Sequence, residues 1–135
     1  MADFSKAFPL VAKQESPNLT DILGDMGGLT YYGITYKNFH NWAGWQVIKD
    51  RGLKNGETLP EIDNLVATFY KENFWDRLQG DNIINQETAN GLFCSAINQG
   101  LHAAICESQS ALEMPQTGNI DNVFINNLNI ANPYA

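Results

Sequence analysis

Apolar residues recur along most of the chain at three- and four-residue spacing, the pattern of amphipathic helices. The first such segment begins after Asp3, a capping residue, and Pro9 interrupts it, so we expect a short or kinked helix that ends by Gln14. Four further helices are predicted from capping residues and apolar spacing: after Thr35, from Pro60, from Gln86 to about Leu112, and after Asp121.

The stretch from Glu15 to Thr35 breaks this helical pattern. Its sequence, ESPNLTDILGDMGGLTYYGIT, combines three carboxylates with hydroxyl residues and the pair Gly27-Gly28, which permits a tight chain reversal. Alternation from Leu29 to Ile34 then predicts a short strand. The predicted fold class is therefore mainly α, with a small β-hairpin near Gly27–Ile34 beside a candidate active-site loop.

Glu15 is the residue of this stretch best suited to acid chemistry. Pro17 disfavours helical geometry at Ser16, so Glu15 lies at a helix C-terminus, where exposed carbonyls and partial burial both favour the protonated carboxyl. A raised pKa suits a general acid, although a solvated Glu at a helix end explains the same position without chemistry. A hairpin that folds back on the loop would bring Glu15, Asp25 and Thr30 together.

The run from Gly27 to Thr35, GGLTYYGIT, matches in full the pattern Gly-Gly-x-Thr-x-x-Gly-Ile-Thr. With Glu15 upstream, this run resembles the N-terminal signature of the glycoside hydrolase family 108 muramidases, also known as secretion-activator proteins. Ser16-Pro17 stands where that family has Gly-Gly after the Glu. Three later family landmarks have counterparts in the chain: Phe74-Trp75-Asp76, Gly80-Asp81 and the run from Phe93 to Gly100.

The resemblance implies a single lysozyme-like domain over residues 1–135. Residues 100–135 resemble the start of the family's C-terminal peptidoglycan-binding helical region, cut short after Ala135. The implied activity is cleavage of the β-1,4 bond between N-acetylmuramic acid and N-acetylglucosamine, with peptidoglycan glycan strands as the partner. Glu15 would be the general acid. Asp25, or with less support Asp21, would hold a water or stabilise the oxocarbenium-like charge, and Thr30 would orient that water.

Four residues are candidate substrate contacts: Asp21, Tyr32, Trp42 and Asn98. Trp42 and Trp45, one helical turn apart, could stack on sugar rings, but aromatic pairs at this spacing are also common in cores. Asn98 is the polar exception in an apolar helix. Its family counterpart lies near the substrate cleft, and a buried Asn bonded to backbone is the alternative.

Charge and cysteine content limit the remaining function classes. The formal net charge of −7, with eight lysines and arginines, argues against a nucleic-acid partner and gives no attraction to an anionic cell envelope. Cys94 and Cys106, in one predicted helix, would be roughly 18 Å apart and unbridged. No cofactor is expected, and His102 with Cys106 is too small a set for a metal site.

The first residues lack the apolar run of a secretory signal, and no segment is long enough to cross a bilayer. We therefore expect synthesis in the cytoplasm and action at the cell wall or periplasm after release or non-classical export. Two other functions stay open: a catalytically weak or inactive module for wall binding or secretion, supported by Ser16-Pro17, and a helical interaction domain with an incidental acidic loop. The oligomeric state is equally open.

Overall fold

Most residues that the structure describes are helical, with one small antiparallel sheet. The structure is a computed structural model and describes residues 1–21 and 28–131. Its α-helices are α1 Phe4–Ala7, α2 Pro9–Gln14, α3 Gly44–Arg51, α4 Asp63–Tyr70, α5 Gln86–Gln99, α6 Leu101–Ala111 and α7 Asn122–Ala131. Its strands are β1 Leu19–Asp21, β2 Leu29–Tyr31 and β3 Ile34–Thr35.

Three short helical turns supplement these elements. They are 3₁₀ turns at Pro60–Ile62 and Gly80–Asn82 and a π-helical turn at Lys71–Trp75. The chain divides into two compact units. We call Val11–Phe69 the sheet unit, and Met1–Leu10 with Tyr70–Ala135 the helical unit.

The first helical segment consists of two short helices, as the sequence predicts. The Asp3 carboxylate caps α1 by accepting a 2.9 Å hydrogen bond from the Ser5 N–H. Pro9 begins α2, which ends at Gln14. Because proline has no N–H to donate, regular helical bonding cannot continue through Pro9.

The sheet has the strand order β1-β2-β3 and is antiparallel throughout. β2 and β3 are joined by Tyr32 and Gly33, whose φ values of 54° and 79° are those of a two-residue type I′ turn. Leu19, Tyr31 and Ile34 fill the buried face. The small hairpin is thus confirmed, but its turn lies at Tyr32-Gly33, so the prediction of one strand from Leu29 to Ile34 is wrong: strand pairing, which alternation does not reveal, divides that run into β2 and β3. β1 is a third strand that the pattern did not reveal, because three residues are too few for alternation to be recognised.

The helix predicted after Thr35 begins only at Gly44. The intervening residues form turns, in which the Phe39 N–H donates to the Thr35 carbonyl at 3.0 Å. A Cβ atom at Gly44 would lie 2.3 Å from the Trp42 ring, so this ring packs directly on the backbone. α3 ends before Gly52, whose φ of 62° is left-handed and suits a glycine.

In the helical unit, the long apolar pattern that starts at Gln86 forms two helices. α5 ends at Gln99, and Gly100, with φ 95° and ψ 156°, turns the chain before α6. Apolar spacing continues across the break, so the pattern alone could not locate it. The prediction of one helix is therefore wrong, and the separation of Cys94 and Cys106 derived from it no longer applies, although both thiols are free.

Two sequence landmarks of the helical unit form one packing arrangement. Trp75 is 1% exposed, and its indole N–H donates to the Asp81 carboxylate at 2.9 Å. A Cβ atom at Gly80 would lie 2.2 Å from the indole ring, which explains the glycine. These residues therefore hold the turn after the π-helical segment against the buried tryptophan.

Candidate active site

Glu15 lies directly after α2, in the sheet unit. Its N–H donates to the Val11 carbonyl at 2.8 Å, so the residue stands at the helix C-terminus that the sequence predicts. The side chain is partly buried, and the loss of solvation raises the pKa of its carboxyl above the ordinary 4.5. A carboxyl of this kind keeps its proton to higher pH, as general acid catalysis requires.

Thr30 is the central member of a row of threonines that crosses the sheet. The strand register places it opposite Thr20 of β1 and Thr35 of β3. Successive side chains of a strand alternate, so this row lies on one face and the buried Tyr31 on the other. The Thr35 Oγ1 atom is buried and has no hydrogen-bond partner within the described ranges. Sequence reasoning missed Thr35 as a neighbour of Thr30, yet a two-residue turn at Tyr32-Gly33 would have paired the two residues.

Asp21 lies on the face of the sheet opposite Thr30. It pairs with Leu29 and therefore shares the side of Tyr31. Its Oδ1 atom is buried and has no hydrogen-bond partner in the described part of the chain. The sheet thus separates Asp21 from Thr30, two residues that the sequence places in one site.

Tyr32 occupies the turn that follows β2. Its φ of 54° is left-handed, a conformation that costs a non-glycine residue about 1–3 kcal/mol. Burial raises the pKa of the Tyr32 phenol, and the nearby groups of Asp63 and Tyr31 raise it further. The phenol therefore keeps its proton to higher pH than an ordinary tyrosine.

Trp42 packs on the face of the sheet opposite Thr30. Its ring stacks on Tyr31 with centroids 6.2 Å apart, and Trp45 meets it edge-on at 5.3 Å. Both indole N–H groups donate to backbone carbonyls. Trp42 also borders a pocket of about 750 Å³, shared with Leu19, Leu29, Tyr36, His40, Trp45 and Lys49. The aromatic pair therefore packs on the sheet and lines a pocket on the same face.

Asn98 and Asp25 are the two predicted site residues outside the described sheet unit. Asn98 is an exposed residue of α5, so it is not a buried Asn bonded to backbone. Asp25 lies outside the described residues. Among the residues described, no group of three or more His, Cys, Asp or Glu could hold a metal ion. None of the described helices is long and apolar enough to cross a membrane.

The chain is similar to known proteins in sequence and in fold. A family model described as glycosyl hydrolase 108 matches residues 9–100, which include Glu15 and the three strands. A solved structure of SagA from Brucella abortus is similar, with a TM-score of 0.66 and 24% identity over 92% of this chain and 67% of the SagA chain. No protein with a curated description matches. The fold is therefore lysozyme-like, and the chain belongs to the glycosyl hydrolase 108 family.

Proposed function

We propose that the protein is a peptidoglycan N-acetylmuramidase that cleaves the β-1,4 bond between N-acetylmuramic acid and N-acetylglucosamine. The observation that carries this proposal is the partly buried Glu15 carboxyl at the end of α2, whose pKa is raised by desolvation. Glu15 also lies in the part of the chain that matches the glycoside hydrolase family. The site of action would be the cell wall.

In the proposed reaction, Glu15 donates its proton to the glycosidic oxygen as the bond to the anomeric carbon breaks. Asp25 holds a water or stabilises the oxocarbenium-like charge, and Thr30 orients that water. Asp21 is a weaker candidate for the second carboxylate, because it lies on the sheet face opposite Thr30. The sequence motif and the position of Asp21 on the other face support the choice of Asp25.

The candidate substrate contacts take different positions in this proposal. Tyr32 would donate a hydrogen bond to the glycan from the end of the hairpin, next to Thr30. Trp42 would bind a sugar ring away from the cleaved bond, because its pocket lies on the sheet face opposite Thr30, and Asn98 would contact glycan from the exposed side of α5. With a net charge of −7, these contacts would depend on hydrogen bonds and stacking rather than on electrostatic attraction.

The second candidate function is a wall-binding or secretion-accessory module without turnover. It is favoured by Ser16-Pro17, which replaces the family's Gly-Gly directly after the proposed acid. Proline removes a backbone donor and restricts Ser16, so this connection from α2 to β1 differs in its backbone freedom from one built of glycines. Such a module would have the fold of the family and bind glycan without cleaving it.

Purified protein added to a cell-wall suspension distinguishes the two functions. Hydrolysis would lower turbidity and release new reducing ends, whereas a binding module would sediment with the wall and do neither. Glu15→Gln should cut the rate of reducing-end release by about 10²–10⁴-fold, because Gln keeps the side-chain size and cannot deliver a proton.

Glu72→Gln, which changes an exposed Glu of the helical unit in the same way, is the matched control and should keep full activity. A folded, fully active Glu15→Gln protein would show that Glu15 is not the acid. A Glu15→Gln protein that fails to fold would show that the residue is structural.

A further inference from the structure

We propose that Thr35 is a second water-positioning residue, which shares with Thr30 the water consumed in glycan hydrolysis. This inference rests on the proposed function, because it adds a residue to the same site. It is carried by the register of β2 and β3 and by the buried hydroxyl of Thr35.

The hairpin geometry brings the Thr30 and Thr35 side chains close together. The Tyr36 N–H donates to the Leu29 carbonyl at 2.9 Å, so residues 29 and 36 form a hydrogen-bonded pair. In an antiparallel ladder such pairs alternate with non-hydrogen-bonded ones, and Thr30–Thr35 is the next pair along. Non-hydrogen-bonded pairs have the closer Cα atoms, about 4.5 Å apart, and their side chains approach most closely. The two-residue turn at Tyr32-Gly33 sets this register.

The Thr35 hydroxyl has an unused hydrogen-bonding capacity at this position. Its Oγ1 atom is buried and has no partner among the residues described, so it is not bonded to the Thr30 hydroxyl. Buried hydroxyls are nearly always paired with protein or with ordered water, because an unpaired one loses the hydrogen bonds it made in solvent. A water bridging Thr35 and Thr30 would satisfy this group and would lie beside the residue that orients the nucleophile.

The threonines would hold this water without changing their own protonation. In a direct displacement, the water oxygen bonds to the anomeric carbon while the glycosidic C–O bond breaks. The proton of Glu15 passes to the leaving oxygen, and one water proton passes to the second carboxylate of the proposed function. The two hydroxyls fix the water oxygen's direction of approach, which makes Thr35 a positioning residue.

Thr20 offers a matched control on the other side of Thr30. The backbone N–H and C=O groups of Thr30 point away from β3 and towards β1, so Thr20–Thr30 is a hydrogen-bonded pair. In such a pair the Cα atoms are about 5.5 Å apart, and the side chains are farther from each other than in the Thr30–Thr35 pair. Thr20 has the same face and the same residue type, and its hydroxyl is not one of the buried atoms left without a partner in the described residues. The same change at Thr20 therefore tests the general effect of losing a hydroxyl from this face.

The test is a comparison of Thr35→Val, Thr35→Ser and Thr20→Val by initial rates of reducing-end release from soluble peptidoglycan fragments. Thr35→Val should lower kcat about tenfold, the loss of one hydrogen bond to the attacking water, with KM changed less than about twofold. Thr35→Ser should restore most of kcat, and Thr20→Val should match the wild-type protein. The thermal midpoint of Thr35→Val should stay close to wild type, because valine suits a strand and the Thr35 hydroxyl makes no hydrogen bond to another described residue.

A double variant, Thr30→Val with Thr35→Val, sharpens the test. If both hydroxyls hold one water, the double variant should lose little more kcat than the more damaging single change, since groups acting as a unit are not additive. Independent, multiplying losses would overturn the shared water, and equal losses at Thr20 and Thr35 would overturn the specific role.

Each outcome separates the inference from the proposed function. An active wild-type protein with a fully active Thr35→Val variant would refute the inference alone, whereas a wild-type protein that releases no reducing ends would refute both. A Thr35→Val protein much less stable than wild type would refute the premise that this hydroxyl makes no hydrogen bond to the protein. If that variant does not fold, Thr35→Ala replaces it in the same assays, with Thr20→Ala as its control.

Discussion

Among the residues that the structure describes, the helical unit satisfies its buried polar side chains, and the sheet unit leaves two buried polar atoms without a hydrogen-bond partner. In the helical unit, Gln109 is 2% exposed, yet its amide nitrogen donates to the Thr117 hydroxyl at 3.0 Å and its carbonyl accepts the Gly118 N–H at 3.0 Å. Thr88, also fully buried, donates its N–H to the Asn85 side chain at 3.0 Å. The hydrogen bonds of these buried residues therefore hold the 115–119 loop and cap the N-terminus of α5.

In the sheet unit, the corresponding groups are the Asp21 Oδ1 and Thr35 Oγ1 atoms, both buried and both without a partner among the described residues. They lie on opposite faces of a three-stranded sheet, and the same unit contains Glu15, whose pKa is raised by burial. Buried groups without partners reduce stability and are therefore expected where a ligand or water is used. The comparison supports the proposal that the chemistry belongs to the sheet unit, while polar burial in the helical unit serves stability.

The largest expected effect concerns the second carboxylate of the sheet unit. Asp25→Asn should lower hydrolysis by about 10²–10⁴-fold if Asp25 is the base, and by less if it only positions water. Asp21→Asn should change the rate much less, because its side chain lies on the face opposite Thr30. The measurement is reducing-end release by the two folded variants, and the reverse ranking would make Asp21 the second carboxylate.

The next effect tests the role of the helical unit. Gln109→Met replaces the buried amide with an apolar chain of similar length, so it should lower the free energy of unfolding by about 1–3 kcal/mol while kcat stays unchanged. Urea unfolding measures the loss, and Gln116→Met, at an exposed position nearby, is the control. A Gln109→Met protein with wild-type stability would mean that these bonds do not hold the 115–119 loop.

A smaller effect is the pH dependence of stability, to which the carboxyls of Glu15 in the sheet unit and Asp3 in the helical unit contribute with opposite signs. Because burial raises the pKa of Glu15 in the folded state, the folded protein binds more protons than the unfolded one, and stability falls as pH rises from about 4.5 through the folded pKa. Glu15→Gln should remove this loss, so the variant should gain thermal midpoint over wild type across that range.

The contribution of Asp3 to stability depends on pH in the opposite direction. Its hydrogen bonds with Ser5, the side-chain one above all, lower the pKa of the Asp3 carboxyl from the ordinary 3.8. The stability that it contributes is therefore present above pH 3.8 and is lost as pH falls through the folded pKa. The measurement is the thermal midpoint of Glu15→Gln and of Asp3→Ala, each relative to wild type, as a function of pH. If both differences change with pH in the same direction, the opposite contributions of the two carboxyls are contradicted.

The smallest expected effect concerns the thiols of the helical unit. Cys94 and Cys106 are free, and the Cys106 sulfur lies 3.6 Å from the His102 Nε2 atom. Replacing both cysteines with serine should leave wall hydrolysis within a few-fold, because neither residue belongs to the proposed site. A folded double variant that loses most of its activity would place chemistry in the helical unit and break the comparison.

Several boundaries of the fold could be predicted because their causes are local. Asp3 and Asp121 cap helices by accepting N–H groups two and three residues later, and the second of these bonds, to Phe124, measures 2.8 Å. Gly52 ends α3, and Pro60 begins a helical turn. The end of α2 before Glu15 has the same origin, since Pro17 follows. Each of these signals acts within one turn of the chain, so residue types alone reveal it.

Family membership could be recognised from the run Gly27 to Thr35, and the family match confirms it. The mainly α fold with a small hairpin is likewise confirmed. A run of glycines and threonines at fixed spacing is a local feature of the sequence. It identifies the family even though the sequence does not show which of its residues pair across the strands.

Other features were decided only by tertiary structure. The break at Gly100, the late start of α3 at Gly44 and the strand β1 depend on what packs or pairs with each segment, and apolar spacing is the same with or without those partners. The sequence by itself determined the helix ends that have local caps or prolines, and the position of Glu15 directly after α2. The division of Thr30 and Asp21 between two faces came from strand register, because a side chain's face is set by pairing with a distant strand rather than by its neighbours in the chain.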